Sequence, residues 1–239
     1  MITVVLDAGH GGTDSGAVYA SRLEKNDNLK LTLKISELLK ACGVNVVHTR
    51  HTDVFVPLSE RSAISNRIGA DLFISIHRNS SAHSSSNGLE TYVFLAPSQS
   101  TLKLAENIHK QLLGTSGMID NGIKRATFSV LKSTSAPSIL LEVGYLSNAE
   151  DNRLFDQNLD SNAQSIANAI MEHFNISCKP VIEVTPQIDA RKEQVQAMLE
   201  KVFGTKTKEA IMRFQKNNRL AQDGYLNQET IDAFLRNQR

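Results

Sequence analysis

The stretch Ile2-Thr-Val-Val-Leu6, running directly into Asp7-Ala-Gly-His-Gly-Gly12, decides the fold of this chain. Apolar and β-branched residues in an unbroken run predict a strand covered on both faces. The glycines at 9, 11 and 12 then impose a tight loop, and that loop carries His10 away from the strand end.

Outward from this stretch, strand and helix signals alternate. Leu31, Ile35, Leu38 and Leu39 follow helical spacing, with Gly43 as the stop signal. Val44 to Val47 predicts a second strand. Pro57 opens a short helix with Ile64 and Ile68 on one face. Leu72 to Ile76 predicts a strand that ends in His77, and Leu89 to Leu95 a further one. Leu104, Ile108 and Leu112 mark another helix. Val130-Leu131 is read as a short strand and Ile139 to Val143 as a buried one. Ala163, Ile166, Ala167, Ile170 and Phe174 describe an amphipathic closing helix. Such alternation predicts an α/β domain: a mixed, mostly parallel sheet with helices on both faces.

The pattern changes after Asn175. Pro180 and Pro186 interrupt a stretch without helical periodicity, and beyond it apolar residues recur at helical spacing in three groups. One contains Val195, Met198, Leu199 and Val202. The second contains Ala210, Ile211 and Phe214 behind a Thr207 cap, and the last contains Ile231, Phe234 and Leu235 after Asn227. The expected organisation is a catalytic domain over 1–175, a linker over 176–186 and a small all-α three-helix domain over 187–239.

Charge and composition restrict the function classes. A net charge of +1 gives no reason to expect nucleic acid, although residues 1–175 carry −2 and the remainder +3. No apolar run is long enough for a membrane span. The first residues are a core strand rather than a basic segment followed by an apolar one, so no signal peptide is expected. Cys42 and Cys178 are too few for a disulfide scaffold, and free thiols are expected.

Four polar residues stand where strands or helices begin and end: His10, Glu24, His77 and Glu142. Ligands gather at the carboxyl ends of parallel strands, so the two histidines can meet in space. Two histidines, a carboxylate and an open position make a catalytic zinc set. On residue type and spacing alone, polar strand ends with local hydrogen bonds are the favoured reading. Glu142, inside Ile139-Leu-Leu-Glu-Val143, faces either a cleft or a structural ion pair, because an unpaired buried charge is costly. In a cleft its pKa would rise, which suits a general base.

Four motifs in order, Asp7-Ala-Gly-His-Gly-Gly12, Leu23-Glu-Lys-Asn26, Ser75-Ile-His-Arg-Asn79 and Leu141-Glu-Val-Gly-Tyr-Leu-Ser-Asn148, resemble the zinc-dependent N-acetylmuramoyl-L-alanine amidases. The resemblance implies that His10, Glu24 and His77 hold one Zn2+ and that Glu142 is the catalytic carboxylate. It implies cleavage of bacterial peptidoglycan between N-acetylmuramic acid and L-alanine. A zinc carboxypeptidase acting within the stem peptide, or a non-catalytic wall binder of the same fold, are the alternatives. Arg78 departs from the family, which places a small residue there; it is expected to alter how a muropeptide sits beside the metal. The tail resembles a three-helix peptidoglycan-binding module through Val195-Gln196, Phe203-Gly204, Phe214-Gln215 and Asp223-Gly224. A phage endolysin, made in the host cytoplasm and acting on the wall after release, is the expected role, with a sporulation mother-cell lysin as the alternative. Oligomeric state is not readable from the sequence.

Overall fold

The computed structural model of the protein describes residues 1–178, 207–218, 220, 230 and 233. The chain divides into two compact units, Met1–Lys179 and Pro180–Arg239. In the first, the described strands are β1 (Thr3–Ala8), β2 (Val18–Tyr19), β3 (Arg22–Leu23), β4 (Asn45–His48), β5 (Leu72–Asn79), β6 (Leu89–Val93), β7 (Asp120–Arg125) and β8 (Ser138–Tyr145). The described helices are α1 (Glu24–Ala41), α2 (Leu58–Ile68), α3 (Gln99–Ser116), α4 (Ser129–Ser133), α5 (Ala149–Gln157) and α6 (Leu159–His173).

Six strands form one sheet in the order β4-β1-β5-β8-β6-β7, and β2 pairs with β3 in a separate hairpin. β6 runs antiparallel to β8, and every other pairing in the large sheet is parallel. The mixed, mostly parallel sheet expected from the alternation is therefore present.

The period of two along each strand sorts the side chains between two layers. Val4, Leu6, Ile74, Ile76, Leu141 and Val143 pack with Leu31, Ile35, Ile108 and Ile166 from α1, α3 and α6. Burial of an aliphatic side chain of this kind stabilises by about 1.5–3 kcal/mol, so this layer dominates the fold. Val5, Phe73 and Leu140 face the other way, against Val130 and Leu131 of α4. Val130-Leu131, expected as a short strand, is thus a helical turn. Its two apolar residues cover the second face of the sheet instead of joining its edge.

The cysteines also differ from expectation. Cys42, at the end of α1, and Cys178 form a disulfide, with Cα atoms 4.8 Å apart. Residues after the last helix explain this. The Ile176 amide donates to the Met171 carbonyl oxygen at 2.8 Å, and Ile176 and Cys178 pack on the main core. The first stretch of the expected linker is therefore part of the first unit, which brings Cys178 to Cys42.

In the second unit, the described helix α7 (Thr207–Asn217) buries Ile211 and Phe214 on one face. The buried Gln215 donates to the Thr230 hydroxyl at 3.1 Å. Of the other two expected helices, Val195, Met198, Ile231 and Leu235 lie outside the described residues, while Thr230 and Ala233 are helical and buried.

Candidate metal centre and active site

β1, β5 and β8 are parallel neighbours, so their carboxyl ends open on the same edge of the sheet. His10 lies just beyond β1, His77 near the end of β5 and Glu142 in the last half of β8. Glu24 is the first residue of α1, where a carboxylate also complements the helix dipole.

Three of the four converge. The His10 Nε2 lies 3.1 Å from Glu24 Oε2, and His77 Nδ1 lies 2.9 Å from Glu24 Oε1. One ligand atom from each of His10, Glu24 and His77 falls within 4.8 Å of the others. Ligands of a tetrahedral zinc stand about 3.3 Å apart, given bond lengths near 2.0–2.1 Å. The donor set therefore fits a zinc ion in chemistry, and its two His–Glu24 separations, 3.1 and 2.9 Å, lie near that spacing.

Local backbone makes that convergence attainable. His10 itself has φ of 61°, in the left-handed region, a conformation that costs about 1–3 kcal/mol for a residue with a side chain. Gly9 leaves room for the second ligand: a Cβ there would lie 2.2 Å from the His77 ring. His10 Nδ1 is paired with Asp14 Oδ2 at 2.9 Å, which fixes the ring and leaves Nε2 facing Glu24. Glu24 is held in turn by the amides of Ala17 and Arg78 and by the Asn28 side chain.

Electrostatics follow the geometry. Burial pushes the His10 imidazole down, but Glu24 and Asp14 outweigh it and raise the pKa to about 9. Burial opposes ionisation of Glu24, yet hydrogen bonds from His10 and His77 hold it well below the usual carboxylate range. Two imidazolium-prone rings thus share one carboxylate, and their combined charge equals that of a divalent cation.

Glu142 does not join the triad. It is the register partner of His77, so both side chains leave the same face of the sheet. Its Oε2 is buried and has no hydrogen-bond partner among the described residues. Burial, opposed by His77 and reinforced by Glu24 and Glu90, raises its pKa to about 7. Among the described residues Glu142 makes no ion pair of the kind considered from sequence; the carboxyl instead lines a cavity of about 440 Å³ with His10 and His77. Phe55, Leu58 and Val130 supply its apolar walls.

Arg78 is placed differently from expectation. Adjacent strand residues face opposite layers, so next to His77 it points away from the cavity. Its guanidinium bonds Asp27 at 2.6 Å and Asn152 at 2.7 Å and lies 4.2 Å from the Phe155 ring centroid. It ties α1 to α5, and only its amide touches the site.

Several residues around the site escaped sequence reading. Asp14 sits four residues after His10, and Asn28 one turn after Glu24 on the same helix face; both spacings were visible. Arg50 had no signal, because its partners are backbone carbonyls. His109, one of the remaining histidines, is buried with partners Thr91 and Asp120, consistent with a structural role.

A mixed α/β sheet whose strand ends bring together two histidines and a glutamate, beside a buried carboxyl that lines the same cleft, carries a group of side chains able to hold a metal ion. Residues 4–172 match the N-acetylmuramoyl-L-alanine amidase family, and the chain belongs to it. Residues 193–234 match a peptidoglycan binding domain family. The chain is 37% identical over 175 residues to the N-acetylmuramoyl-L-alanine amidase LytC of Bacillus subtilis, covering 72% of this chain but 35% of that protein. It is 37% identical over 185 residues to the endolysin of Bacillus phage SPP1, covering 74% and 67% of the two. Among solved structures, the catalytic domain of CwlV, an amidase from Paenibacillus polymyxa, superposes with a TM-score of 0.69 at 41% identity, over 74% of this chain and all of that one. AmiC2 of Nostoc punctiforme gives 0.68 at 37% identity, over 73% and 97%. No helix among the described residues is long and apolar enough to cross a membrane.

Proposed function

We propose that this protein is a zinc-dependent N-acetylmuramoyl-L-alanine amidase that releases stem peptides from peptidoglycan. The observation that carries the reading is the meeting of His10, Glu24 and His77 beside Glu142, which lines the same cavity as the two histidines. Membership of the amidase family supports the bond to be cut.

His10, Glu24 and His77 would hold the ion. When bound, zinc supplies a Lewis acid that activates water near neutral pH and polarises a carbonyl. The Glu142 carboxylate takes the proton of the attacking water as the lactyl carbonyl of the muramic acid is hydrolysed. The same carboxyl then returns a proton to the departing alanine nitrogen, a double duty that favours a pKa near 7. Asp14 holds His10, and Asn28 with the Arg78 amide holds Glu24, so neither ligand reorganises during the reaction. Phe55 and Leu58 limit water on the apolar side of the cleft.

The domain organisation proposed is catalysis by the first unit and wall attachment by the second. A weak wall binder raises the local concentration of its tethered partner without adding a contact at the reaction site. The Cys42–Cys178 disulfide supports work in an oxidising setting outside the cytoplasm.

Mass spectrometry of digested peptidoglycan tests the reaction. Free stem peptides that begin with L-alanine, together with uncut glycan chains, are expected. Shortened stems still attached to muramic acid would instead indicate a carboxypeptidase.

A further inference from the structure

We propose that Arg50 and Arg61 are positioning residues for the metal loop: two buried guanidiniums that grip the carbonyl oxygens of residues 8–10 and thereby set where His10 presents its imidazole. The inference rests on the metal centre proposed above.

The two arginines come from separate places in the fold, Arg50 from just after β4 and Arg61 from α2, and each is only 2% exposed. Arg61 donates from Nη1 to the Ala8 carbonyl and to Asp7 Oδ1, both at 2.7 Å, and from Nη2 to the His10 carbonyl at 2.7 Å. Its Nε reaches the Val56 carbonyl at 3.0 Å. Arg50 donates from Nε to the Ala8 carbonyl at 2.8 Å and from Nη2 to those of Gly9 and Lys25, at 2.9 and 2.7 Å. Three successive carbonyls of the loop are therefore held by guanidinium donors, including that of His10 itself.

Stability alone does not account for this arrangement. Two like charges lie side by side in the interior, and among the described residues only Asp7 is bonded to either as a buried carboxylate. Apolar residues of similar volume commonly replace buried ion groups without loss of stability. What two cations supply here, and apolar residues cannot, is a set of fixed donors for the carbonyls of residues 8–10, of which that of Gly9 also accepts from the Asn28 side chain at 3.3 Å. The fit is close on the loop side too. Gly11 has φ of 131°, and a Cβ on it would meet the Arg50 Cδ at 2.8 Å and the Val54 carbonyl oxygen at 2.3 Å. The left-handed backbone of His10 sits between these anchors, so its ring direction depends on them.

The test uses the full chain, stripped of metal and reconstituted, as wild type, Arg50→Met and Arg61→Lys. Zinc affinity is measured by competition with a chromophoric chelator. Coordination is read from the visible spectrum of the cobalt(II) form, and folding from the Tm of the metal-free protein. Arg50→Met is the cleaner variant, because Arg50 bonds carbonyls and its removal strands no bonded carboxylate. A positioning role predicts zinc binding about 10- to 100-fold weaker and an altered cobalt spectrum in a variant that still folds. A folded Arg50→Met with wild-type zinc affinity and an unchanged cobalt spectrum would overturn it. Failure of both variants to fold would also overturn it, by assigning the arginines to the fold as a whole. Wild-type protein that binds no zinc would sink the metal centre itself, a result distinguishable from either.

Discussion

His77 and Glu142 are register partners on the neighbouring parallel strands β5 and β8, so a metal-ligand candidate and a free carboxyl share one face of the sheet. The sheet register, not a flexible loop, sets their relation. Replacement of Glu142 should therefore leave the metal ligands in place. Glu142→Gln is expected to retain zinc while losing at least about 100-fold in hydrolysis of muropeptides, the usual contribution of a general acid–base group. Zinc content and turnover measured on the same preparation check both halves; a variant with near wild-type turnover would remove Glu142 from the mechanism.

The same carboxyl has a consequence for stability. Burial raises its folded pKa to about 7, above the ordinary value of 4.5. A group with a raised folded pKa contributes stability that is fully present below its unfolded value and lost as pH rises through the folded one. Metal-free wild type should thus lose stability between about pH 4.5 and 7 through Glu142. Glu142→Gln lacks this loss, so its Tm should rise relative to wild type from about pH 5 to about pH 8. A constant Tm difference across that range would contradict the buried, unpartnered state.

The Cys42–Cys178 bridge closes a loop with a sequence separation of 136 residues. Restricting so long a loop in the unfolded chain stabilises the fold by about 2–5 kcal/mol. Reduction, or Cys42→Ser, should lower the Tm by several degrees without changing turnover at 25 °C. Equal Tm values with and without reductant would show that the bridge does not form or does not matter.

Deletion of residues 180–239 preserves the bridge and the first unit. Hydrolysis of small muropeptides should stay within about twofold of the full chain, while attack on intact walls falls by about 10-fold or more, as expected for loss of a tether. Equal loss on both substrates would make the second unit structural. Truncation at residue 175 removes Cys178 and should cost stability as well.

The strands that build the site were legible because burial on both faces writes them as apolar runs: Ile2 to Leu6, Leu72 to Ile76 and Ile139 to Val143. β7 was not, since an edge strand reading Asp-Asn-Gly-Ile-Lys-Arg has no apolar period to show. α5 was missed for a related reason: only Asp151 and Phe155 of its residues are buried. The four site residues stood out as polar interruptions at strand and helix ends. Asp14 and Asn28, which orient two of them, lay at visible spacings, but the part played by Arg50 and Arg61 was hidden, because they act on backbone carbonyls whose position only the folded chain defines. The bridge was hidden likewise: Cys178 was read as linker, and its reach to Cys42 depends on three residues continuing the core past α6.

Zinc counted in the reconstituted full chain, wild type beside His77→Ala, with X-ray absorption to identify the ligand atoms, tests the central claim most directly. The account predicts one zinc per wild-type chain bound by two imidazoles and carboxylate oxygen, and its loss in the variant. Wild-type protein that emerges free of zinc, or a His77→Ala chain that holds it as well as wild type, would contradict it.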